Sequence, residues 1–131
     1  MSQIVVDTDV ASYLFNWHSV AQQWADVLRW SDLSLSFMTV AELRMGAISA
    51  GWGNRRRHLL EQFIQRFELV YADNNLCTVW ARLRADARAA GWQLSPQDAW
   101  IAATALALEA PLATNNRRDF ANIARLQLLS Q

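Results

Sequence analysis

Short apolar runs rich in β-branched residues alternate along this chain with longer stretches of helical periodicity. That alternation constrains the fold more than any other feature, because strands separated by helices pair in parallel through right-handed crossovers. Ile4-Val5-Val6 is the first such run, read as a buried strand that ends at Asp7. Residues 10–15 begin a first helix, and 19–30 carry a second with Val20, Trp24, Val27 and Leu28 on one side. The alternation over 33–38 predicts a second strand. Thr39 then opens a helix running to about Ala50, where Gly51 and Gly53 end it. Asn54 caps the next helix, whose apolar stripe is Leu59, Leu60, Phe63, Ile64 and Phe67. A brief strand over 69–71 and a helix over 75–90 follow, the latter stopped by Gly91. Ser95-Pro96 starts a helix that reaches Glu109, with proline in the first turn where helices tolerate it. Residues 111–114 form a fourth strand, 116–120 a helical turn and 126–129 a last strand. Helix outweighs strand, so the expected fold is a three-layer α/β/α sandwich with a short central parallel sheet, one domain over 1–131.

In open α/β sheets, ligands bind in the crevice beyond the carboxyl ends of the strands. Four acidic residues fall at such places: Asp7, Glu42, Asp98 and Asp119. Three of them also have a structural use. Thr39-x-x-Glu42 and Ser95-x-x-Asp98 have the form of capping boxes. Asp119, three residues after Asn116, sits where an acid meets the positive end of a helix dipole. Asp7 has no evident capping role, and capping predicts no convergence of all four at one sheet edge. Gathered in one crevice, four carboxylates repel each other and hold protons unless a cation keeps them ionised. Oxygen-rich sites of this kind suit Mg²⁺ or Mn²⁺. The pattern points to a metal-dependent phosphodiesterase.

Other chemistries lack their residues. His18 and His58 lie far apart with no marked nucleophile beside either, and one cysteine with two histidines does not build a zinc site. No Gly-rich phosphate loop is present. A phosphoacceptor protein or small phosphatase would be expected to carry a lysine near its aspartates, and this chain has none. The net charge is zero, yet all 12 basic residues are arginine, whose planar fork suits phosphate contacts. GC-rich coding produces the same bias. The run Arg55-Arg56-Arg57-His58 reads either as a solvated helix end or as a contact for RNA phosphates. Arg117 and Arg118 adjoin Asp119 and are the stronger candidates for substrate contact at the rim of the crevice. No stretch is apolar and long enough to span a bilayer, and no secretory signal is evident. The lone Cys77 fits a reducing cytoplasm and is expected to be a small core residue. Seven tryptophans need buried pockets or an apolar partner surface.

Four segments, taken in order, carry a resemblance: Ile4-Val5-Val6-Asp7-Thr8-Asp9, Thr39-Val40-Ala41-Glu42-Leu43, residues 95–103 around Asp98, and residues 112–120 around Asp119. They resemble the successive motifs of PIN-domain ribonucleases, and most of all VapC, the toxin of VapBC toxin–antitoxin pairs. The resemblance spans nearly the whole chain. It implies that Asp7, Glu42, Asp98 and Asp119 form an acidic quartet holding Mg²⁺ or Mn²⁺. Thr8 then supports the first acid, while Thr114 and Asn116 steady the last acid or a coordinated water. Asp9 departs from the family, which more often has Asn or Ser there; its extra carboxylate either joins the outer surroundings of the metal or caps the first helix, the cap being the favoured reading. Asp119 departs too, because many relatives have Glu, and its shorter reach favours a contact through water.

As for function, the resemblance implies an endoribonuclease that cuts single-stranded or loop RNA, such as tRNA or rRNA loops, leaving 5′-phosphate and 3′-hydroxyl ends and so inhibiting translation. It also implies a homodimer and a cognate antitoxin that plugs the acidic crevice. Trp17, Trp24 and Trp52 are candidates for those surfaces, with core packing as the other reading. A non-catalytic PIN-like module that binds RNA or a partner stays open, as does a DNA nuclease using the same metals, since nothing in the sequence shows whether a 2′-hydroxyl is read.

Overall fold

The computed structural model describes residues 2–129 of the 131. The elements run β1 (Gln3–Val6), α1 (Thr8–Asn16), α2 (Ala21–Leu28), β2 (Asp32–Ser36), α3 (Phe37–Ser49), α4 (Asn54–Ile64), β3 (Glu68–Val70), α5 (Asn74–Ala90), α6 (Pro96–Leu108), β4 (Leu112–Ala113), α7 (Arg117–Phe120) and β5 (Leu128–Leu129). The five strands form one parallel sheet in the order β3-β2-β1-β4-β5. β1 is central: the chain first grows outward through β2 and β3, then returns to its other side with β4. That reversal makes the carboxyl end of β1 a topological switch point, where a crevice opens.

Side chains of β1 alternate between two cores, as the period of a strand requires. Ile4 and Val6 join Val10, Trp24, Leu28, Leu35, Leu43 and Leu60 on one face. Val5 joins Ala99, Ile101, Leu112 and Phe120 on the other. Helices α1 to α4 contribute to the first core and α5 to α7 to the second, which gives the expected three layers. α6 is buried over most of its circumference, so its alanines pack against the sheet on one side and α5 on the other. Trp80 stacks on Trp100 at 4.9 Å between ring centroids, and Phe37 meets Trp100 edge-on, joining α5, α6 and α3. Gly91 ends α5 with φ +80°, a left-handed conformation that glycine adopts without strain. Among the described residues, no helix is long and apolar enough to cross a membrane.

Several local expectations change. The second strand stops at Ser36, and α3 starts at Phe37 because the Ser36 hydroxyl accepts the Met38 N–H at 3.1 Å. Thr39 is therefore inside the helix and buried, not its cap. Gly53 rather than Asn54 occupies the N-cap of α4. Val27 is exposed on α2, whereas Trp24 is wholly buried. Cys77 is exposed: Leu76 takes the inward position on α5, and the next residue points about 100° away.

Candidate active site

Asp7 is the first residue beyond β1 and the N-cap of α1. Its Oδ1 accepts the Thr8 N–H at 2.8 Å, so the capping role that the sequence did not suggest is real. Its Oδ2 accepts a hydrogen bond of 2.6 Å from the hydroxyl of Thr114, just past β4. The β1–β4 register, Val6 opposite Ala113, brings together these two residues from opposite ends of the chain. Thr114 Oγ1 in turn accepts the Asn116 N–H at 2.9 Å, which shapes the turn into α7. Asn116 thus supports the loop through its backbone; its side chain makes no cap bond.

Glu42 lies on the second turn of α3, facing the same edge. Thr8 Oγ1 is 2.7 Å from Glu42 Oε1 and 3.0 Å from Thr39 Oγ1. A hydroxyl has one proton, and here the carboxylate takes it. Thr39 and Thr8 therefore act as a relay that fixes Glu42 relative to Asp7. Ser95 caps α6 by accepting the Asp98 N–H at 3.0 Å, as its spacing suggested, and Asp98 stands half-buried at that helix start. Asp119 is exposed on α7, where its N–H bonds the Asn116 carbonyl at 3.0 Å.

Asp9 adds a fifth carboxylate. It is not the cap of α1, which is Asp7. Its Oδ1 accepts the Val10 N–H at 2.7 Å, and its Oδ2 reaches the Asn115 N–H at 3.2 Å. Asn115 also accepts the indole N–H of Trp24 at 3.1 Å. Trp24 is consequently a core residue, the other of the two readings its sequence allowed, and it anchors the loop carrying the last acid; sequence reasoning missed that contact and the part of Asn115 in it. An asparagine following Thr114 was visible as a signal; its partner 91 positions away was not.

The carboxylates influence one another's charge. Burial, followed by the charge of Asp9, pushes Asp7 up to about 7, against the hydrogen bonds from Thr114 and Thr8. Burial likewise raises Asp98, and the charges of Asp119, Glu42 and Asp9 add to it. Asp9 is raised by burial against its N–H partners. Asp7, Asp9, Glu42, Asp98 and Asp119 therefore share one electrostatic neighbourhood. Among the described residues, no group of three or more His, Cys, Asp or Glu side chains is drawn together closely enough to hold a metal ion by itself. Mg²⁺ does not require one, because it keeps several waters and takes one or two carboxylates together with substrate phosphates. A set of hard oxygen donors in which burial, with neighbouring charge, raises Asp7 and Asp98 fits such an ion.

Arg117 and Arg118 are exposed on α7 beside Asp119. Arg55 is exposed on the first turn of α4, while Arg56 lies against Trp52, with its guanidinium carbon 3.8 Å from the ring centroid. A cavity of about 830 Å³ opens elsewhere, between α5, α6 and the segment before β5; none of the quartet lines it. Size does not mark the site here; the convergence of carboxylates does.

The PIN domain family model matches residues 4–126, nearly the whole chain. The chain belongs to the PIN-domain family. This PIN domain is 28% identical over 125 residues to ribonuclease VapC1 of Haemophilus influenzae, covering 94% of this chain and 93% of that protein. It is 33% identical over 101 residues to ribonuclease VapC4 of Mycobacterium tuberculosis, covering 76% and 77%. Its backbone is similar to that in the structure of VapBC-1 from nontypeable Haemophilus influenzae, with a TM-score of 0.81, 28% identity and coverage of 98% and 97%.

Proposed function

We infer that this PIN domain is an endoribonuclease and the toxin of a toxin–antitoxin pair, with a cognate antitoxin protein as its partner. The observation that carries the reading is the tie of Asp7 to Thr114 and of Glu42 to Thr8, at one sheet edge that Asp98 and Asp119 share. A site that only bound RNA would gain nothing from clustered carboxylates beside a phosphate backbone. In this reading Asp7, Glu42 and Asp98 hold Mg²⁺ or Mn²⁺, and Asp119, exposed and short, contributes through water. When bound, the ion lowers the pKa of water and stabilises the charge that grows on the attacking and leaving oxygens of a phosphodiester.

The chain's own groups do the rest. Thr8 and Thr114 orient two carboxylates, so their geometry is set before substrate arrives. Arg117 and Arg118 offer guanidinium groups to phosphates entering the crevice. Arg55 and Arg56 offer a second basic flank at the start of α4. The RNA is single-stranded or looped, and the enzyme works in the cytoplasm as a homodimer. Trp17, 81% exposed, is the candidate interface residue that remains once Trp24 is assigned to the core and Trp52, half-buried, packs on Phe15 against that core.

Expression in a bacterial host tests the reading. Growth arrest that is lost in Glu42→Gln, with equal amounts of folded protein, is the expected result. Arrest that persists in the variant would assign the effect to binding rather than to cleavage.

A further inference from the structure

Gly46 lies in the interior of α3, where glycine weakens a helix. Its φ is not positive, and a Cβ built on it would meet nothing within 4 Å. Nothing within the fold therefore requires glycine at this position. Its open side faces a pocket of about 200 Å³ between α1, α3 and α4. Glycine often marks a place where a ligand approaches the backbone closely.

The pocket is continuous with the acidic crevice, because Thr8 and Glu42 line both. Ser12 gives it a hydroxyl and Trp52 an aromatic wall, while the Asn16 amide nitrogen is engaged within α1, donating to the Ser12 carbonyl at 3.1 Å and to its hydroxyl at 3.3 Å. Trp52 is stacked on Phe15 at 5.6 Å and overlaid by Arg56, whose Nη2 donates to Asn16 Oδ1 at 2.7 Å. Arg56 is thus held over Trp52 at the pocket's edge by a neutral amide, and among the described residues it forms no ion pair. Single-stranded RNA is recognised by aromatic rings and arginine planes that stack on splayed bases, with polar groups reading their edges. The volume is below the roughly 300–1,000 Å³ of a drug-sized site, and suits one ring system.

We propose that this pocket is a nucleobase subsite, which takes one base of single-stranded RNA beside the scissile phosphate, and that residue 46 is glycine so that the base can approach α3. The subsite rests on the ribonuclease reading. Trp52, Arg56 and Ser12 determine specificity in it, with Asn16 holding Arg56 in place, while the quartet does the chemistry.

Gly46→Leu tests this, because it fills the pocket while favouring the helix; a melting point at or above that of the wild type shows that it folds. Total RNA is cut with wild type and G46L, and the fragment ends are sequenced. Affinity for a fluorescent random-sequence RNA decamer is measured by anisotropy in an Asp7→Asn background, with and without G46L. The expected result is cutting by G46L that has lost base preference at one position beside the cut, and decamer binding at least tenfold weaker. Unchanged preference and affinity overturn the subsite and leave the nuclease reading standing. If the wild type cuts no RNA, the nuclease reading fails, and equal decamer affinities then overturn the subsite as well. Loss of antitoxin binding in G46L with RNA preference unchanged assigns the pocket to the protein partner and overturns the proposal.

Discussion

Replacing Asp7 by asparagine should stabilise the metal-free protein at neutral pH and not at acid pH. Asp7 is buried, and its pKa rises from 3.8 to about 7 on folding. A folded-state pKa above the unfolded one means that the native state binds the proton more tightly. The stability this confers is fully present below pH 3.8 and is lost as pH rises through 7. About 3 pH units at roughly 1.36 kcal/mol each gives a loss on the order of 4 kcal/mol between pH 4 and pH 8. Asparagine carries no charge, so the variant escapes that loss. Its amide oxygen can still accept the Thr8 N–H, while the bond from Thr114 must reorient. At about 2–6 °C per kcal/mol for a chain of this size, the pH dependence of Tm should differ between the two proteins by roughly 8–24 °C. The assay is thermal unfolding by circular dichroism in EDTA at several pH values between 4 and 8. Added Mn²⁺ should then raise the Tm of the wild type more than that of the variant, because a ligand stabilises the state that binds it. Parallel Tm–pH curves for the two proteins in EDTA would refute the electrostatic argument.

Four further outcomes follow from individual side chains. Thr114→Val removes a donor from buried Asp7 and an acceptor from the Asn116 N–H, and should cost about 1–3 kcal/mol in denaturant unfolding. Ser36→Ala removes the side-chain cap of α3 and should cost about 1 kcal/mol, whereas Arg44→Ala, which breaks an exposed pair with Glu61, should cost less than about 1 kcal/mol. Replacing Arg117 and Arg118 by alanine should raise KM for RNA more than it lowers kcat, and should make binding less dependent on salt, read from titrations at several salt concentrations.

The strands and their parallel direction were legible because they alternate with helices, and a buried β-branched run such as Ile4 to Val6 has few other uses; their order in the sheet was not. The quartet was legible as positions near element ends. Its cross-links were not, because they depend on register. Thr114 reaches Asp7 only because β4 pairs with β1, and no local pattern specifies that pairing. The start of α3 was misplaced because Phe37 and Met38 continue the apolar alternation of β2, and the Ser36 cap that ends it is a single hydroxyl. Thr39, freed from capping, serves Thr8 instead. Cys77 was misjudged from its apolar neighbours, when the helical period of α5 decides which of them faces inward. The position of Arg56 on Trp52 depends on the turn between α3 and α4, and residue types alone gave no sign of it.

The central claim is that the acidic edge cuts RNA with the help of a divalent ion. Its most direct test is incubation of total RNA with purified wild type and Asp7→Asn, each in Mg²⁺, in Mn²⁺ and in EDTA, with the products resolved on a denaturing gel. Discrete fragments are expected from the wild type with either metal, none in EDTA, and none from the variant in any lane. Fragments that persist in EDTA, or that Asp7→Asn produces as fast as the wild type, would contradict that claim.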